Sequence, residues 1–309
     1  MTDLSVTIGG VTLPNPVIPA SGTWELPETA AHDGAIASAG FPPGAGIDPA
    51  ELGAVINKTI FLDPRPGNPP PRIVETPSGM LNSIGIPSTG ADRFIAEDLP
   101  RFRAAGPPVI VSIAEESVER FGTLARMVEE AGMADLIELD LSCPNVHTGA
   151  QWAGDPESLS RAVSAVVSAV RLPVIAKLSP MVRDIAEMAR AAEKAGAAAV
   201  TLVNTFKGMA IDIEARRPVL GNGTGGLSGP AVRPMAVAAV WAAYEAVSIP
   251  IIGMGGVSSW KDAVEFILAG ATAVGVGMYN FVNPLVMREV REGIAAYCER
   301  HGVPAVRDI

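Results

Sequence analysis

Short apolar runs rich in valine and isoleucine recur along the chain at Pro16–Ser21, Ala54–Thr59, Pro108–Ile113, Leu136–Leu141, Pro173–Leu178, Ala198–Asn204, Pro250–Met254 and Ala273–Val276. They are continuous rather than alternating, which is the pattern of strands buried on both faces. Amphipathic stretches lie between them: Glu116–Ala131, Asp155–Val170, Val182–Ala195, Pro230–Val247, Lys261–Ala269 and Asn283–His301. Their ends carry helix punctuation. Asp155 is placed to cap a helix with Pro156 at its first position, and Gly196 and Gly270 follow two of the stretches as C-terminal glycines. Eight strands alternating with helices predict an α/β fold, a (β/α)8 TIM barrel, taken as a single domain over residues 1–309. An open doubly wound sheet shares this alternation but commonly has about five or six strands.

Two connections are too long and too rich in proline and glycine to be ordinary turns. Asp63–Thr89 follows the second strand and Phe206–Ser228 follows the sixth. Both are expected to emerge at the C-terminal face of the barrel, where active sites sit, as long loops that close over a ligand.

Composition narrows the picture. Hydrophobic residues make up 48% of the 309 and charged residues 18%, enough for a large core and too little charge for long disordered tracts. The net charge of −10 argues against a nucleic-acid partner, although one lysine can still govern a pocket for a small anion. Met1 to Ser5 carry no basic region followed by an apolar run, so no secretory signal is expected. No uncharged apolar run reaches the length of about 18 residues that a membrane span needs. A cytoplasmic location is therefore expected. The two cysteines, Cys143 and Cys298, are too few for an iron–sulfur cluster, which takes about four thiolates, and they do not suggest a disulfide scaffold.

Candidate chemistry gathers at the strand ends. Four of them finish in polar residues: Lys58-Thr59, Asp140 with Ser142-Cys143-Pro144-Asn145, Lys177, and Asn204-Thr205. The top of a barrel strand points into the ring, and burying an ammonium or amide there costs several kcal/mol unless it is paired. One such lysine is explained by an ion pair; two lysines, two asparagines, an aspartate and a cysteine on one face point to a site. Gly253-Met254-Gly255-Gly256-Val257 after the seventh strand and Gly275-Val276-Gly277-Met278 at the eighth would expose backbone amides to a phosphate, although such glycines also serve plain tight turns. Gly221 to Gly226 fits the spacing G-x-G-x-x-G, but it lies inside a long loop without the strand before and helix after that dinucleotide binding requires. It is read as a flexible loop folding over the ligand. Cys143 alone would be an ordinary buried thiol; within the polar ring it could accept a proton. His32, His147 and His301 show no metal-ligand spacing, so no metal is expected, and His147 is read as a solvent-exposed loop residue.

These residues together resemble the class 1 dihydroorotate dehydrogenases, over nearly the whole chain. The matching stretches are Pro19–Gly22, Arg65–Pro69 with Pro71-Arg72, Glu75–Gly85, Ser142–Asn145, Asn222–Gly226 and Gly253–Val257. Glu75–Gly85 and the glycine-rich loop look closest to the class 1B branch, whose members pair with an electron-transfer subunit carrying FAD and a [2Fe–2S] cluster and pass electrons to NAD+. The resemblance implies oxidation of dihydroorotate to orotate in pyrimidine biosynthesis, with FMN as cofactor and a homodimeric core. FMN would meet Ser21, Gly22, Lys58, Thr59, Ser112, Asp140, Lys177, Val203, Ser228 and Gly229, its phosphate resting on Gly255, Gly256, Gly277 and Met278. The substrate would meet Lys58, Asn82, Ser83, Ile84, Gly85, Ile86, Asp140, Asn145, Asn204 and Thr205. Cys143 would be the general base taking the C5 proton while hydride leaves C6, and Lys177 would favour the reduced, anionic flavin.

One position departs from the pattern. The family normally has asparagine where this chain has Asp140, and an ionised carboxylate accepts hydrogen bonds but cannot donate them. It would weaken binding of an anionic substrate. Asp140 is thus the best support for a second reading, an FMN oxidoreductase acting on another dihydropyrimidine-like ring. Readings from other classes are a flavin-free barrel lyase with Lys177 as Schiff base and a barrel that binds a partner without catalysis. The electron acceptor stays open between NAD+ through a partner subunit and fumarate.

Overall fold

The computed structural model describes residues 2–26, 46–141, 152 and 154–309. Eight parallel strands form one sheet: Val17–Pro19, Val55–Ile56, Val109–Ile113, Leu136–Asp140, Val174–Lys177, Ala199–Leu202, Ile251–Met254 and Ala273–Val276. Numbered in that order, they lie side by side as 1-8-7-6-5-4-3-2, and each falls inside one of the apolar runs. Every residue of the third to the eighth strands is buried, which is why their sequences do not alternate. The first and second strands meet at the seam, where Gly53 N donates to Val17 O at 2.8 Å and Asn15 Nδ2 to Glu51 O at 3.0 Å. The result is the TIM barrel that the alternation predicts.

Helices follow the second to the eighth strands and pack around the ring. Pro156–Ala169 starts as its sequence dictates: Asp155 accepts from Ser158 N, and Pro156 fills the first turn, where its missing N–H loses nothing. Ser117 and Asp184 cap Val118–Glu130 and Ile185–Lys194 in the same way. Phe121 and Phe266 are wholly buried between helices and strands, each contributing about 1.5–3 kcal/mol by leaving water. None of the described helices is long and apolar enough to cross a membrane.

Three features go beyond the sequence reading. Val6–Ile8 and Val11–Leu13 form a hairpin against the residues that precede the fifth and sixth strands, so it closes the N-terminal end of the barrel. The helical segment after the second strand is broken: Ala91–Arg93, a π-turn Phe94–Asp98, then Leu99–Ala104. Pro100 has no N–H to continue the ordinary ladder, which blurs the helical pattern. Most consequentially, the two long connections are not loose loops. They supply Ile73–Thr76, Gly79–Asn82, Phe206–Gly208 and Gly225–Ser228, which pair antiparallel into a second, four-stranded sheet over the C-terminal end of the barrel.

Candidate active site

A cavity of about 570 Å³ opens where the barrel strands end and the second sheet covers them. That volume suits a cofactor or drug-sized ligand. Its walls come from every barrel strand end except the third among the described residues: Ser21 and Gly22, Lys58 and Thr59, Asp140, Lys177, Val203 to Thr205, Gly255 and Gly256, and Gly277 and Met278. The covering sheet and its flanks add Asn82, Ile84, Gly85, Ile86, Ser228 and Gly229. Nineteen residues that the sequence nominated therefore converge on one space.

Two nominated residues lie just outside the lining. Ser83 is buried and accepts from Asn68 Nδ2 at 3.0 Å, while its N–H donates to Arg72 O, so it pins the covering strand. Ser112, at the third strand, is buried beneath the floor, 3.0 Å from the Thr59 hydroxyl. Cys143, Asn145 and His147 lie outside the described residues.

The two ends of the cavity are built differently. At one end, side chains do the work. Lys58 passes over Gly22 so closely that a Cβ there would stand 2.4 Å from its Cδ. Asp140 faces Lys177 across the ladder of the fourth and fifth strands. Asn204 donates through Nδ2 to Asp140 at 3.2 Å and accepts Thr205 N on its Oδ1 at 2.8 Å. The carboxylate thus fixes which way the Asn204 amide points. Thr59 lies 3.5 Å from the other Asp140 oxygen and 3.0 Å from the Ser21 hydroxyl.

Beneath this end stands a residue that the sequence reading passed over. Glu138 is 1% exposed, accepts from Ser112 at 3.2 Å and Thr201 at 3.2 Å, and lies 3.6 Å from Lys177 Nζ. A buried carboxylate costs several kcal/mol unless cations and donors surround it, and here both are present. Its signal was a glutamate two residues before Asp140 in an otherwise apolar strand, hence on the same inward face.

At the other end, backbone replaces side chains. Gly255 and Gly256 both have positive φ, +127° and +84°. A Cβ on Gly256 would lie 2.8 Å from Gly229 O and 2.8 Å from Arg233 Cβ, so only glycine lets these loops approach. The helix Trp260–Leu268 begins just beyond. Amides presented from glycines before a helix N-terminus are a cradle for a phosphate.

The chain matches the dihydroorotate dehydrogenase family over residues 3–297. It belongs to that family. Among dihydroorotate dehydrogenase B (NAD(+)) catalytic subunits, the chain is 45% identical to that of Desulforamulus reducens, covering 99% of this chain and 97% of the relative. It is 44% identical to that of Bacteroides thetaiotaomicron, covering 100% and 98%, and 46% identical to that of Desulforudis audaxviator, covering 99% and 95%. These relatives place it with the class 1B branch. A solved structure of the Eimeria tenella enzyme in complex with ferulenol superposes with a TM-score of 0.77 at 23% identity, over 99% of this chain and 87% of that one, which supports the barrel fold. Within this family frame the G-x-G-x-x-G spacing at Gly221–Gly226 serves the covering sheet: Gly225 and Gly226 are strand residues, paired with Gly208 and Lys207 on one side, and Gly226 with Asn82 on the other.

Proposed function

We propose that this protein oxidises dihydroorotate to orotate in pyrimidine biosynthesis, using FMN. The observation that carries the reading is the cavity itself: Lys58, Asp140, Lys177 and Asn204, from four strands, face one space whose far end is a glycine cradle. The cradle fits a phosphate, and the volume between it and Lys58 fits a flavin with a small ring beside it. When bound, FMN supplies a two-electron acceptor for hydride, and the protein supplies position and electrostatics.

In this reading Gly255, Gly256, Gly277 and Met278 hold the cofactor phosphate, while Ser21, Gly22, Thr59, Val203, Ser228 and Gly229 flank the rest. Lys58 and Asn82 hold the substrate carboxylate, helped by the backbone of Ile84, Gly85 and Ile86. Asn145, Asn204 and Thr205 match the donor and acceptor pairs of the pyrimidine edge. Cys143 takes the C5 proton as general base. Lys177, held from below by Glu138, keeps a positive charge where the reduced ring becomes negative. The covering sheet excludes water from these groups.

The relatives' names, NAD(+) and catalytic subunit, support an electron acceptor reached through a partner. We propose a cytoplasmic assembly of a homodimeric core with an electron-transfer subunit carrying FAD and [2Fe–2S]. The two cysteines of this chain are too few to hold that cluster. Family membership disfavours the flavin-free lyase and the non-catalytic barrel.

The test begins with colour. The purified protein should absorb at about 450 nm, as a bound oxidised flavin does, and anaerobic dihydroorotate should bleach it. A colourless protein contradicts the cofactor; flavin colour that persists for minutes with dihydroorotate contradicts the substrate.

A further inference from the structure

Behind the glycine cradle lies a buried carboxylate with no place in the reaction. Asp262, in the first turn of the helix Trp260–Leu268, is 4% exposed. One of its oxygens accepts from Ser258 N at 2.9 Å, Ser258 Oγ at 2.8 Å and Ser259 Oγ at 3.1 Å. The other pairs with the Arg233 guanidinium. Ser258 and Ser259 directly follow the Gly255–Val257 wall of the cavity. Arg233 opens the helix Arg233–Tyr244, one short turn (Pro230–Val232) beyond the Ser228–Pro230 wall, and Gly256 packs against its Cβ.

Two walls of the cavity, from different strands, are therefore tied to one carboxylate. Each tie spans only a few residues from its wall. A charge-assisted hydrogen bond is stronger than a neutral one, and a buried donor left without its acceptor is costly. Released from Asp262, the Ser258 amide and both hydroxyls would turn the loop to find other acceptors, and Gly256 would turn with them.

We infer that Asp262 is a positioning residue for the phosphate of the cofactor: it aims the Gly255–Ser259 loop and, through Arg233, fixes that loop against Gly229. The inference rests on the FMN reading and goes beyond it. It also predicts a sign. By charge alone, removing a carboxylate from behind an anion site would tighten the anion. Asp262 acts by geometry, so its removal weakens the anion instead.

The test uses full-length holoenzyme loaded with FMN or with riboflavin, which lacks the phosphate. Flavin release after dilution is followed by the fluorescence of the free flavin. Asp262→Ala should release FMN about 10- to 100-fold faster, the size expected when a supporting partner is removed from behind a ligand, with riboflavin release changed less than about twofold. Ser258→Ala, which keeps the ion pair with Arg233, should speed FMN release by a few-fold, again sparing riboflavin, and it decides the matter if Asp262→Ala does not fold. Equal acceleration for both flavins would mean general loosening and would overturn the inference. Unchanged or slower FMN release would overturn it too. A wild-type protein that retains neither flavin would instead fail the cofactor reading, and the inference with it.

Discussion

The two ends of the cavity solve recognition in opposite ways. The end around Lys58, Asp140 and Asn204 is lined by polar side chains, with Asn204 bonded to Asp140. The end around Gly255 and Gly256 uses backbone and the absence of side chains. The first should respond to changes of charge or hydrogen bonding that leave volume alone. The second should respond to added volume. The same cavity therefore predicts different failures for conservative substitutions at its two ends.

The largest effect belongs to the proposed general base. Cys143→Ser should slow anaerobic flavin bleaching by dihydroorotate about 10²- to 10⁴-fold while flavin stays bound. Stopped-flow absorbance reads this, and bleaching at the wild-type rate would remove Cys143 from the mechanism. Next comes a matched pair. Lys58→Met keeps the length of the side chain and removes its charge; orotate affinity should fall about 10- to 150-fold, the range for a lost charged hydrogen bond. Gly256→Ala adds one methyl group at a φ that disfavours side chains and should weaken FMN retention roughly tenfold or more. Titration of orotate and of flavin across both variants breaks the comparison if Lys58→Met strips flavin alone, or if Gly256→Ala spares it. The smallest effect is Asp140→Asn, which removes a negative charge at nearly constant volume and should tighten orotate by about tenfold. Unchanged or weaker orotate binding would mean that Asp140 does not oppose the substrate's charge.

The barrel was legible because its strands are buried on both faces and leave uninterrupted apolar runs. Leu136–Asp140 and Val174–Lys177 are examples. The covering sheet was not, for the converse reason. Its strand Ile73–Thr76 has no buried face, and Gly225–Ser228 begins with two glycines, so neither composition nor alternation marks them. The site was legible where polarity interrupts an apolar run at a strand end, as at Lys58, Lys177 and Asn204. It was hidden where the polar group sits one layer deeper, as with Glu138, or behind a loop, as with Asp262, because spacing alone does not reveal who faces whom. Cys298 is buried on the helix Val286–His301, and burial pushes its thiol above the ordinary range, away from the reactive thiolate.

The most direct test of the account is a crystal structure of the holoenzyme with orotate. The account predicts the flavin phosphate on the amides of Gly255 and Gly256 and the orotate carboxylate within hydrogen-bonding distance of Lys58 Nζ and Asn82. A flavin lying the other way round, or orotate bound outside the cavity beneath the covering sheet, would contradict it.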